Sequence, residues 1–130
     1  MTKIFVNGTF DVLHPGHVRL LQYAKSLGTR LLVAIDTDNR VRQLKGPSRP
    51  FFTQDDRKFM LESLGCTVVL FNTDQELEHI IATYEPDVMV KGSDYINKPI
   101  VGEEHCGRIE FFKRTDEHSS TKAIQNLTSR

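Results

Sequence analysis

The chain has 130 residues, with 17 Lys or Arg against 17 Asp or Glu, so its formal net charge is zero. That length suits a single domain over residues 1–130, with enough chain to bury one core without disulfides or metals. Balanced charge excludes bulk electrostatic binding of nucleic acid, which needs a basic surface, but leaves room for a local basic pocket.

The opening stretch, Met1 to Gly8, holds too short an apolar run for a signal peptide or a membrane span. Cys66 and Cys106 form no framework and read as reduced thiols. Cys66 stands among Leu64, Val68 and Val69, where it packs as a small apolar side chain. A cytoplasmic protein without membrane contact is the expectation.

In chain order, Ile4 to Val6 reads as a short buried strand ended by Asn7-Gly8. From Gly16 to Leu27, the residues Val18, Leu20, Leu21, Ala24 and Leu27 recur at helical spacing, and Gly28 follows as a stop. Leu31 to Ile35 is a second strand, bounded by polar residues 36–39. Residues 40–52 read as a loop carrying Lys45-Gly46-Pro47-Ser48-Arg49-Pro50. Thr53 with Asp56 forms a capping box for a helix through Leu64. Thr67 to Phe71 is a third strand, and Asp74 caps a helix whose Leu77, Ile80, Ile81 and Tyr84 share a face. His79 reads as a surface residue of that helix. Val88 to Val90 and Ile109 to Phe112 are further strands, and Ser119, Ser120 or Thr121 starts a last helix with Ile124 and Leu127.

Apolar strands alternating with helices predict an α/β fold, doubly wound around a mainly parallel five-stranded sheet with both faces covered. Ligands in such folds bind beyond the carboxyl ends of the strands. The segments 8–17, 36–49, 91–95 and 113–122 are therefore expected to line the site.

The first of these reads Gly8-Thr9-Phe10-Asp11-Val12-Leu13-His14-Pro15-Gly16-His17. A helix that begins there offers unpaired N–H groups and a positive dipole end to an anion, and Gly16 admits a ligand close to the backbone. Imidazoles at His14 and His17 can donate to phosphate oxygens, whose charge grows during phosphoryl or nucleotidyl transfer. Two histidines three apart could instead bind zinc, but no third ligand stands nearby in the right context. A structural role, with His14 capping the helix and His17 half-buried, is the plain alternative. A dinucleotide-dependent oxidoreductase is disfavoured because no G-x-G-x-x-G follows the first strand.

Gly8-Thr9-Phe10-Asp11 followed by His14-Pro15-Gly16-His17 resembles the H-x-G-H signature of the cytidylyltransferase-like nucleotidyltransferase superfamily. The resemblance covers nearly the whole chain and implies a Rossmann-like nucleotidyltransferase fold. Leu44 to Pro50 resembles the K-G-x-S-R-P loop of heptose 1-phosphate adenylyltransferase domains, and Val90-Lys91-Gly92-Ser93-Asp94-Tyr95 their V-K-G-G-D-Y, with Ser93 in place of one glycine. Arg114 to Lys122 is similar to the R-T-E-G-I-S-T-T-K of glycerol-3-phosphate cytidylyltransferase, with Glu117 and His118 where the glycine would stand.

The resemblance implies transfer of NMP from a nucleoside triphosphate to a phosphorylated small molecule, with release of pyrophosphate. ATP with heptose 1-phosphate is the first expectation. CTP with glycerol 3-phosphate, or another small phosphorylated alcohol, is the alternative. A nucleotide-binding regulatory module that has lost turnover is a third reading. Catalytic roles fall on His14, His17 and Lys45, the last reaching the α-phosphate from its loop. Gly8, Thr9, Phe10, Asp11 and Gly16 shape the triphosphate pocket, Gly92 and Asp94 lie near the nucleoside, and Arg57 lies near the acceptor phosphate. By residue type alone, Arg57 could also be a surface partner of Asp56 or Glu62. Ser120 and Thr121, with Arg114 and Lys122, hold the β- and γ-phosphates. Mg²⁺ is expected with the triphosphate rather than in a protein cage, and the family implies a homodimer.

Overall fold

The computed structural model describes residues 1–113. Its elements are β1 (Lys3–Gly8), α1 (Pro15–Ser26), β2 (Arg30–Asp36), α2 (Asp38–Lys45), α3 (Gln54–Ser63), β3 (Thr67–Phe71), α4 (Asp74–Tyr84), β4 (Val88–Gly92) and β5 (Arg108–Phe112). Two short 3₁₀ turns, Ser93–Tyr95 and Glu103–His105, join the last two strands. The five strands form one sheet in the order β3-β2-β1-β4-β5, and every pairing is parallel. The sheet is thus wholly parallel among the described residues, where the sequence predicted a mainly parallel one.

Period-two alternation sends adjacent strand residues to opposite faces, and here both faces are covered. Ile4, Val6, Val33, Ile35, Val88 and Val90 pack with Leu20, Leu21 and Ala24 of α1 and Leu61 of α3. Phe5, Ala34, Phe71 and Met89 pack on the other side with Leu77 and Ile81 of α4. Cys66 joins the first cluster, and burial pushes its thiol up from the usual value. No helix of the described residues is long and apolar enough to cross a membrane.

Two local expectations are corrected. Residues 38–45 are helical rather than loop. Thr37 caps α2 by accepting from the Arg40 N–H, Asp38 stands in the first turn, and Arg42 and Lys45 stand in the last, each complementing the helix dipole. Val41 is its one buried residue, so an apolar stripe was too thin to announce it. In α4 the cap is Thr73, whose hydroxyl accepts from Glu76 N–H, and Asp74 sits one residue inside. The predicted last helix lies outside the described residues.

Gly102 illustrates how tightly the α4 face is closed. Its φ is +79°, and a Cβ there would stand 2.6 Å from Ile81 Cδ1. Gly102→Ala is therefore expected to destabilise by about 1–3 kcal/mol through strain and overpacking, seen as a lower urea midpoint. An unchanged midpoint would mean that the segment after β4 yields freely.

Candidate active site

In the observed strand order, β1 lies between β2 and β4. The chain winds outward from β1 to β2 and β3, then returns to β4 and β5. That reversal leaves a crevice at the carboxyl ends of the central strands, the usual ligand position of such sheets. A cleft of about 450 Å³ lies there, lined among others by Gly8, Thr9, His17, Lys45, Lys91 and Gly92. Two hollows of similar size, about 480 and 430 Å³, lie around Arg30, Leu32 and Tyr84, at the amino ends of the strands. Neither touches the motif residues.

The turn after β1 builds the first wall. His14 is the N-cap of α1, Pro15 occupies its first turn, and the His14 ring accepts from the Gly16 N–H. That bond, 3.0 Å to Nδ1, places the proton of the neutral ring on Nε2. The His14 and His17 rings stack with centroids 3.9 Å apart, and His17 also lies 5.2 Å from the Phe10 ring. Both imidazoles are largely buried. Phe10 itself has φ +50°, a left-handed conformation that costs a non-glycine residue energy and recurs at functional turns. Gly8 makes room for it, since a Cβ there would lie 3.0 Å from Phe10 Cε2.

The second wall is the end of α2 and the loop beyond. Lys45 does not swing on a loop, as the sequence implied, but is the last residue of α2. Its ammonium donates to Thr9 Oγ1 at 3.4 Å, and Thr9 in turn donates to Asp36 at 3.4 Å. Asp11, buried, accepts from the N–H groups of Phe51 and Phe52 at 2.9 Å and lies 3.8 Å from Arg49. The G-T-F-D turn and the K-G-P-S-R-P loop are thereby fastened to each other.

Arg57 requires a correction. It is fully buried and is not a surface partner of Asp56 or Glu62. Its guanidinium donates to the carbonyls of Phe52 (3.0 Å), Thr9 (3.0 Å) and Asp36 (2.8 Å), and to the Asp38 carboxylate at 2.8 Å. This planar fork ties together the loop after β1, the end of β2 and the start of α2. It positions the cleft wall without touching the cleft.

Several cleft residues carried no signal that singled them out. Arg40 pairs with Asp36 at 2.9 Å and Asp74 at 2.6 Å, which raises its pKa against the lowering by burial. Lys91, at the end of β4, is 9% exposed. It donates to Asn7 Oδ1 at 2.8 Å and stands 4.7 Å over the Tyr95 ring. Burial pushes its ammonium down to about 8, against the attraction of Asp36, Asp94 and Cys106. The Val90-Lys91-Gly92 motif marked the segment, yet a lysine ending a strand reads as solvated unless its surroundings are known.

The sign of the Lys91 effect on stability follows from linkage. The unfolded chain holds this proton up to about pH 10.5 and the folded chain only to about 8, so the cost of Lys91 is full below pH 8 and fades toward 10.5. Lys91→Met is expected to be more stable than the parent at neutral pH, by an amount that shrinks as pH rises to 10 in urea titrations. An advantage that grew with pH would contradict this.

Among the other expected site residues, Gly16 is buried in the first turn of α1, Gly92 lines the cleft, and Asp94 is exposed in the turn that follows. Arg114, Ser120, Thr121 and Lys122 lie outside the described residues.

The family model described as cytidylyltransferase-like matches residues 5–126. The chain belongs to the cytidylyltransferase-like family. It is accordingly a nucleotidyltransferase, built on the Rossmann-like fold expected of one. Similar curated proteins include a bifunctional protein HldE of Syntrophotalea carbinolica, 42% identical over 99% of this chain and 27% of that protein. Another, of Campylobacter fetus, is 41% identical over 97% of this chain and 28% of that protein. The chain thus spans about a quarter of the length of these relatives.

Two solved structures share the fold. A lipopolysaccharide core biosynthesis protein of Thermoplasma volcanium superposes with TM-score 0.67 at 19% identity, covering 88% of this chain and 97% of that one. A bifunctional NMN adenylyltransferase/ADP ribose pyrophosphatase of Francisella tularensis, complexed with AMP and a manganese ion, gives TM-score 0.70 at 18% identity. It covers 99% of this chain and 42% of that one.

Proposed function

We propose that this domain transfers AMP from ATP to a heptose 1-phosphate, forming ADP-heptose and pyrophosphate. The observation that carries this reading is the meeting of Lys45, from the K-G-P-S-R-P stretch, with Thr9 of the G-T-F-D turn that leads into H-P-G-H, at one cleft. The likeness to bifunctional HldE proteins over nearly the whole chain supports it.

In the reaction, an oxygen of the acceptor phosphate attacks the α-phosphorus of ATP in line and pyrophosphate leaves. The acceptor is already an anion, so no protein nucleophile is needed. His14 and His17 face the charge that builds on the triphosphate, and Lys45 reaches the α-phosphate. Catalysis is then positioning plus fixed electrostatic stabilisation. Mg²⁺ enters as part of the triphosphate substrate. Among the described residues, the two carboxylates lining the cleft have protein partners, Asp11 the Phe51 and Phe52 N–H groups and Asp36 the Arg40 guanidinium.

CTP with glycerol 3-phosphate is kept as a second reading on one observation, the Ser119-Ser120-Thr121-Lys122 run that is similar to the cytidylyltransferase pattern. Pyrophosphate release with Mg²⁺, crossing ATP and CTP with the two acceptors, separates them. Signal confined to ATP with heptose 1-phosphate is the expected result. Signal confined to CTP with glycerol 3-phosphate would replace the first reading by the second. Tight triphosphate binding with no turnover would favour a regulatory module.

A further inference from the structure

The connection between β4 and β5 runs against α4. Gly102 comes so close to Ile81 of α4 that a Cβ there would stand 2.6 Å from Ile81 Cδ1, which fixes the spacing of the two segments. Glu78 stands one helical turn before Ile81, on the same face of α4. The turn Glu103–His105, just beyond Gly102, supplies Glu104 and His105. His105 Nε2 lies 3.5 Å from Glu78 Oε1 and 3.3 Å from Glu104 Oε1, and ligand atoms of the three side chains lie within 4.8 Å of one another. Among the described residues, no other three histidine, cysteine or acidic side chains converge in this way.

The protein alone serves this convergence poorly. An imidazole nitrogen carries at most one hydrogen, so Nε2 can donate to one carboxylate, and the second is left beside a like charge. Both distances exceed the about 2.7–2.9 Å of a charge-assisted hydrogen bond. They match instead the spacing of two ligand atoms on one tetrahedral ion. With metal bonds of about 2.0–2.2 Å to nitrogen and oxygen, the edge of a zinc tetrahedron is about 3.3–3.6 Å. The octahedral edge of Mg²⁺, with bonds of about 2.0–2.1 Å, is only about 2.8–3.0 Å. One imidazole with two carboxylates is also a donor set that zinc accepts.

We infer that Glu78, Glu104 and His105 form a zinc site, with Nε2 of the neutral imidazole and one oxygen of each glutamate as ligands and water in the fourth position. Two carboxylates balance the charge of the dication, and the remaining lone pair on Nε2 takes the place of the hydrogen that cannot serve both. None of the three residues lines the cleft. The site is therefore separate from nucleotidyl transfer, and its ion is distinct from the Mg²⁺ that accompanies the triphosphate. Bound zinc would tie α4 to the β4–β5 connection, which starts from Gly92 and Tyr95 at the cleft.

The test is calorimetric titration of Zn²⁺ into the full chain without nucleotide, in a buffer that does not chelate, and into His105→Gln, Glu78→Gln and Glu104→Gln. All three side chains are partly or largely exposed, and they come from two different segments, so a folding defect in one variant does not spoil the others. The parent is expected to take up an ion that His105→Gln loses. Each glutamate variant should bind that ion at least about tenfold more weakly, since even the residues that orient metal ligands are worth that much. Urea midpoints give a second reading: Zn²⁺ should raise that of the parent by mass action and leave that of His105→Gln where it was. Zinc held elsewhere, at the His14 and His17 pair for instance, would persist unchanged in all three variants. No uptake by the parent, the same uptake and affinity in His105→Gln, or glutamate variants that bind as tightly as the parent would each overturn the assignment.

Discussion

Replacing His17 with alanine is expected to lower turnover by about 10²–10³-fold, the range for losing one fixed donor to transition-state charge. The imidazole sits in the first turn of α1, stacked on His14 and close to the Phe10 ring, so its orientation is set before substrate arrives. That is the condition under which a donor acts on the barrier rather than only on binding. The loss should therefore appear mainly in kcat, with the KM for MgATP changed far less. Circular dichroism and an unfolding curve on the same sample separate this from misfolding, since removing a buried ring costs some stability as well. A His17→Ala protein that turned over at nearly the parent rate would remove the histidine pair from the chemistry.

The largest expected effect on stability belongs to Arg57. Alanine there would strip four donor contacts from the carbonyls of Thr9, Asp36 and Phe52 and from the Asp38 carboxylate. Breaking one partner of a buried, hydrogen-bonded charge pair costs about 3–5 kcal/mol. That is a large share of the roughly 5–15 kcal/mol that holds an ordinary domain folded. Arg57→Lys keeps the charge but not the planar fork, so it should fall between parent and Arg57→Ala. Urea denaturation followed by circular dichroism measures both. Midpoints equal to that of the parent would mean that the clamp contributes little and that Arg57 acts elsewhere.

The contrast between Arg57 and Lys91 shows where the sequence was legible. The strand runs and the apolar stripes of α1 and α4 were readable because periodicity reports burial directly, and α3 was readable from its Thr53–Asp56 capping box. The H-P-G-H turn was readable because its residues lie together in the chain. Arg57 and Lys91 are different, since their meaning comes from residues far away. Arg57 takes its partners from residues 9, 36, 38 and 52. Lys91 meets Asn7 only because β1 and β4 are neighbours in the sheet. An arginine in a helix and a lysine ending a strand look solvated until the fold closes over them. The helix α2 escaped notice for a related reason: it buries Val41 alone, so its cap and dipole-compatible charges, rather than an apolar stripe, define it.

The proposed function requires attack at the α-phosphorus, within the cleft lined by His17, Lys45 and Lys91. The most direct measurement follows the label from [α-³²P]ATP through a reaction with Mg²⁺ and heptose 1-phosphate, with the phosphorus products resolved. Label in a nucleoside diphosphate sugar, matched by an equal amount of unlabelled pyrophosphate, is the expected result. Label retained in ADP, with orthophosphate or a newly phosphorylated acceptor as the other product, would place the attack at the γ-phosphorus and contradict nucleotidyl transfer at this site.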